Sequence, residues 1–136
     1  MSDLTRTTLA IERQLLEKFD GWMSHRGYTN RSEAMRDLIR QSLIEQEWSD
    51  PQASVVASLS IIYDHEQHTL AQQLTQLQHA DHHAILCSQH VHIDHSRCLE
   101  VILMRGSAGQ LRRISDAILT TRGVMAGELT LMSSSV

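Results

Sequence analysis

Residues 26–40 read RGYTNRSEAMRDLIR, and the fold turns on how this stretch divides. Gly27 is a natural stop for a preceding helix, because glycine enters the left-handed geometry of a helix end without steric cost. Asn30, followed three residues later by Glu33, is a capping-box-like start with Asn in place of Ser or Thr. Met35, Leu38, Ile39 and Leu43 supply the apolar stripe of a second helix that the pattern carries to about Trp48. Working backward, Leu15, Leu16, Phe19, Trp22 and Met23 recur at helical spacing and predict a helix over 12–26. Ahead of it, residues 5–11 (TRTTLAI) are short and β-prone. Alternation puts Arg6, Thr8 and Ala10 on one face and Thr7, Leu9 and Ile11 on the other.

Working forward, Asp50-Pro51 marks a boundary, since proline drives the residue before it out of helical geometry. The hinge is expected near 48–53. Beyond it the pattern predicts a strand over 53–63, a helix over 66–78, strands over 84–93 and 98–104 joined by a turn at 94–97, a helix over 108–121 closed by Gly123, and a strand over 124–132. That order is the ferredoxin-like βαββαβ arrangement. The expected fold is therefore α+β: an N-terminal domain over 1–48 and an ACT-like, ferredoxin-like domain over 53–136. The tail Ser133-Ser134-Ser135 is expected to fray.

Composition narrows the class. No apolar run in the 136 residues approaches a membrane span, and the opening MSDLTRTTLA has neither the charged start nor the apolar stretch of a signal peptide. A cytoplasmic protein with no membrane partner is expected. The net charge is −4; residues 1–47 hold seven Lys+Arg against eight Asp+Glu, and residues 48–136 hold five against eight. Any affinity for nucleic acid must then come from a local arrangement of arginines. Histidine is the anomaly: eight of nine lie between His65 and His95. Of the two cysteines, Cys98 lies beside the histidines, while Cys87 belongs to no motif and is expected to pack in the interior.

A short strand and two helices are too little to fold alone. Two copies would pair their strands into a ribbon over Leu9 and Ile11, presenting Arg6, Thr8 and Ala10 outward. The major groove of B-DNA admits such a ribbon. The start of the second helix, at Asn30, Arg31 and Ser32, offers backbone N–H groups to a phosphate. The competing reading is a helix pair that merely dimerises. In the second half, His90 and His92 share one strand face by the period of two. A tight turn would return Cys98 beside them, and a fourth ligand would come from the segment 79–83. Imidazole and thiolate suit late first-row metals. The spacing is not that of a structural zinc finger.

RGYTNRSEAMRDLIR resembles the second-helix motif of the ribbon-helix-helix family of DNA-binding proteins, which implies that Arg6 and Thr8 read bases; family members usually carry a polar residue where this chain has Ala10. Taken with YDHE at 63–66, QHADHH at 78–83 and HVHIDHSRCLE at 90–100, nearly the whole chain is similar to the nickel-responsive transcriptional regulators. That resemblance implies square-planar nickel(II), one per subunit, held by His90, His92 and Cys98 of one subunit and by His79 of a neighbour. It implies a homotetramer acting as a repressor on double-stranded operator DNA, and not an enzyme. It also suggests a second cation near Glu33 and Asp37, which otherwise read as solvated helix charges, while His65 and Glu66 either orient ligands, form a secondary site or are simply an exposed helix start. His68, His82, His83 and His95 are either weak metal sites or ordinary surface.

Two rival readings come from other classes. A ribbon-helix-helix antitoxin or regulator answering to another metal or a protein partner would often have a disordered tail, against the strong pattern after Pro51. A small metalloenzyme would need an open coordination position and a nearby acid or base.

Overall fold

The computed structural model describes residues 4–135; residues 1–3 and 136, at the ends of the two expected domains, and the side chain of His68 lie outside the described residues. By its internal contacts the chain divides into Met1–Arg40 and Gln41–Val136. The division falls within a helix, and each unit has its own local logic.

In the first unit, helix α1 spans Arg13–Arg26 and ends as its sequence dictates. Gly27 sits at φ +81°, its N–H reaches the Ser24 carbonyl, and the Tyr28 N–H reaches that of Met23 at 3.0 Å. This is a Schellman end. Helix α2 spans Arg31–Ser49 and is capped by Asn30, whose Oδ1 accepts from the backbone N–H of Ser32 at 2.8 Å and of Glu33 at 3.4 Å. Phe19, Trp22 and Tyr28 stack in a row, with the Arg26 guanidinium over the Trp22 ring. Among the described residues of the unit, Met23 and Ala34 are the buried apolar ones, while Leu4, Leu9, Leu15 and Ile39 are exposed. Residues 4–12 belong to no helix or strand of the single chain, so the strand expected at 5–11 is not formed within it. A ribbon strand needs a pairing partner, and one chain supplies none there.

The second unit opens with the last residues of α2. Trp48 is 2% exposed, donates its indole N–H to the Met132 carbonyl at 2.9 Å, and carries the Arg112 guanidinium over its ring. There follow β1 (Ser54–Asp64), α3 (His68–Ala80), β2 (Ile85–His92), β3 (Arg97–Ser107), α4 (Ala108–Leu119) and β4 (Val124–Met132). The sheet is antiparallel in the order β2-β3-β1-β4. From Val55 onward β1 alternates buried with half-buried residues, the expected signature of a sheet covered on one face. Leu59, Ile61, Ile102 and Met104 on that face meet Leu70 and Leu74 of α3 and Leu111, Ile114 and Ile118 of α4.

Strand β2 is an edge strand, with a register shift between Ile85 and Cys87 where it joins β3. Its burial pattern is exposed from Leu86 to His92. Cys87 is therefore exposed, which corrects the expectation that it packs inside. Its register partner is Leu103, itself exposed, on the face turned away from the helices. Edge position, not residue type, decides its exposure.

Candidate metal centre

The hairpin β2–β3 builds the site. Its turn is closed by Asp94: Oδ1 accepts from the backbone N–H of Ser96 at 3.1 Å and of Arg97 at 2.8 Å, and Oδ2 accepts from Arg97 Nε at 2.7 Å. The Arg97 side chain, then its backbone N–H, hold the Asp94 carboxyl down at about 2. With the turn so fixed, antiparallel register sets His92 opposite Cys98 and His90 opposite Glu100. On the other side of β3, Tyr63 of β1 lies opposite Cys98. All of these residues share the helix-covered face of the sheet, by the period of two.

Side chains converge accordingly. His90 Nδ1 lies 3.9 Å from Cys98 Sγ and 3.1 Å from the Tyr63 hydroxyl. His90 Nε2 lies 3.5 Å from Glu100 Oε1. Cys98, Tyr63 and Glu100 are buried, while His90 and His92 are exposed. Burial first, then the neighbouring Glu100 and Cys98, push the Tyr63 hydroxyl upward, so it stays a neutral donor. Glu100 Oε1 accepts from Gln78 Nε2 at 2.7 Å, and Glu100 Oε2 has no hydrogen-bond partner among the described residues. Buried carboxylates are seldom kept without a task, and one behind an imidazole is the usual support of a metal-bound histidine. The donor set and this carboxylate fit a nitrogen–sulfur metal site that His90 and Cys98 would help to hold.

Among the described residues, no group of three or more His, Cys, Asp or Glu side chains is gathered closely enough to hold a metal. The His92 ring lies edge-on against His65 at 4.9 Å between centroids. His79 sits in the last turn of α3, exposed, next to the buried Gln78. The His82 and His83 rings lie against each other beyond it, tilted by 41°, and Glu66 pairs with His95 at 3.1 Å. Tyr63, Glu100 and Gln78 are the site residues that sequence reasoning missed. Glu100 is two residues beyond Cys98 on a strand, so period-two spacing would have placed it on the same face.

The expected DNA and cation residues are also accounted for in the first unit. Arg6, Thr8 and Ala10 are exposed. Arg31 makes a two-pronged bond to Asp20, at 2.8 and 2.6 Å, and holds that carboxyl below its usual value. The Ser32 N–H is taken by Asn30, so the helix start caps itself. Asp37 accepts from the Tyr28 hydroxyl at 2.9 Å and from Arg40 at 2.7 Å, which occupies the carboxylate expected to share a cation with Glu33.

A thiol and imidazoles on one sheet face, backed by a buried carboxylate, define a binding domain for a late first-row metal. Comparison with known proteins sharpens that class. Residues 56–132 match the family described as the NikR C terminal nickel binding domain. A relative in Solibacter usitatus named a nickel-responsive regulator is 46% identical over 134 residues, covering 98% of this chain and 96% of its own. Relatives of the same name in Nitratidesulfovibrio vulgaris and Geobacter sulfurreducens are 42% and 39% identical over the same shares. The chain belongs to the NikR family of nickel-responsive regulators, a family of regulators and not of enzymes. A solved structure of an uncharacterised protein from Thermotoga maritima shares the fold over 57% of this chain and 96% of its own, at 13% identity and a TM-score of 0.52. Among the described residues, no helix is long and apolar enough to cross a membrane.

Proposed function

We propose that the protein is a cytoplasmic, nickel-dependent transcriptional repressor. The observation that carries this reading is the pairing of His90 Nδ1 with Cys98 Sγ, with Glu100 behind the imidazole. His90, His92 and Cys98 of one chain bind one nickel(II) per subunit together with His79 of another. Nickel(II), when bound, supplies a strong preference for a planar set of strong-field donors, which zinc(II) lacks. The exposure of His79 supports sharing across subunits.

The regulatory domain over 53–136 is ferredoxin-like, on the strength of its βαββαβ order and its β2-β3-β1-β4 sheet. The head over 1–48 is a ribbon-helix-helix domain. Its exposed Leu4, Leu9 and Leu15 support pairing with a second copy. That pairing creates the ribbon on which Arg6 and Thr8 read base edges, Ala10 contacts a methyl group, and the start of α2 at Asn30, Arg31 and Ser32 approaches phosphate. Two such pairs of heads flank a core of regulatory domains in a homotetramer. A ligand shared between subunits makes metal binding a quaternary event, and a switch requires that one arrangement bind nickel better than another.

The test is fluorescence anisotropy with promoter DNA from upstream of nickel-uptake genes, with and without stoichiometric nickel. Binding that needs nickel and is lost in Cys98→Ala is the expected result. Equal binding in both conditions would leave the DNA-reading head and remove nickel as its effector.

A further inference from the structure

Asp81 breaks a local rule. It follows α3 directly, and its N–H closes the helix onto the carbonyl of Gln78 at 3.3 Å. The C-terminal end of a helix carries partial negative charge and favours cations or a left-handed glycine, not a carboxylate. Residues that violate local preference in an otherwise consistent fold are where function is to be sought.

What offsets the carboxylate is Arg113. Its Nη2 donates to Asp81 Oδ1 at 2.8 Å and its Nη1 to Oδ2 at 3.4 Å. Arg113 stands on α4 between the buried Leu111 and Ile114, so its backbone is fixed by the core. On the other side of His79, Gln78 is buried and bonded to Glu100 at 2.7 Å. The His82 backbone N–H also reaches the His79 carbonyl at 3.3 Å. His79 thus sits between two anchors, one to the sheet and one to the adjacent helix α4, while its own imidazole is exposed.

We propose that the Asp81–Arg113 ion pair is a positioning device for His79, locking the C-terminal turn of α3 so that the imidazole is held ready for a metal shared with another subunit. The inference rests on the reading of His79 as a ligand donated across subunits. A ligand delivered from a separate chain gains most from being ordered beforehand, because disorder in it must be removed at the moment of binding. Outer supports of this kind act on affinity through the residue they orient.

The experiment is a chelator-competition titration of nickel on the full chain, with the absorption spectrum of the bound metal and a thermal unfolding curve for each variant. Arg113→Ala and Asp81→Asn are each expected to weaken nickel by roughly tenfold. The double variant should be little worse than either single one, since the two act as a unit. Arg113→Lys, which keeps the charge, should recover most of the affinity. The unfolding midpoint should barely move, because Arg113 is largely exposed. In the metal-free protein, amides 78–82 should exchange faster in Arg113→Ala. His79→Ala separates the two layers of the inference. If His79→Ala loses nickel while Arg113→Ala and Asp81→Asn keep wild-type affinity, the ion pair has no positioning role. Weakened binding that tracks a lowered unfolding midpoint and is not restored by lysine would also overturn the proposal. If His79→Ala itself keeps the affinity and spectrum, the ligand reading fails and the proposal falls with it.

Discussion

Cys98 and Glu100 are separated by one residue, share a face and are equally buried, yet they invite different chemistry. On the proposed reading, the buried thiol beside an imidazole is a ligand and the buried carboxylate, with one oxygen unpartnered among the described residues, is a support. Replacing Cys98 by Ala should weaken nickel by more than the 10- to 100-fold range, roughly, of outer-shell changes, whereas Glu100→Gln should fall within it. Competition titration of both variants distinguishes them, and equal losses would deny Glu100 its supporting role. Asp94 gives a pH prediction. Its folded value of about 2 lies below the ordinary 3.8, so its contribution to the turn is fully present above 3.8 and is lost as pH falls through about 2. Carboxyl NMR titration should show a midpoint near 2 for Asp94; a midpoint near 3.8 would mean the turn is not held in solution.

At the scale of elements, two glycines separate backbone strain from packing. A Cβ at Gly27 would meet nothing within 4 Å, so only its φ of +81° resists substitution. Gly27→Ala should cost roughly 1–2 kcal/mol of helix-end strain. A Cβ at Gly127 would overlap Leu119 and press on Ile61 Cγ2 at 2.9 Å, in ordinary strand geometry. Gly127→Ala should then destabilise by overpacking, about 1–3 kcal/mol. Urea midpoints at unchanged slope report both. Element ends were legible in the sequence where a side chain or glycine caps them: Gly27 ends α1 as read, and Asn30 starts α2 as read. Cys87 was not legible, because whether a strand residue is covered depends on its neighbours in the sheet and not on its own identity. The occupied Asp37 was not legible either, since its partner Tyr28 comes from the preceding loop.

For the whole molecule, the two units differ in how much they can bury. The second has a continuous core that includes Trp48, and Trp48→Ala should cost it about 3–5 kcal/mol, read from its thermal or urea unfolding. The first buries little apolar surface of its own, so its stability should rise with protein concentration, measurable as a concentration-dependent melting of α1 and α2. A concentration-independent melt would mean the head stands without a second copy. The hairpin pairing of His90 with Cys98 was legible from spacing and a turn signal. The supporting Tyr63 and Gln78 were not, because they reach the site from a strand and a helix far away in the chain.

The chain holds two tryptophans, and the fold gives one to each unit: Trp22, half-buried in the aromatic row of α1, and Trp48, sealed against the Met132 carbonyl. The molecule thus carries a built-in pair of optical reporters with opposite solvent contact. Trp22→Phe leaves a blue-shifted emission that follows the regulatory unit alone, and Trp48→Phe leaves a redder one that follows the head. Changes set off at one end can be timed against their arrival at the other without attaching any dye.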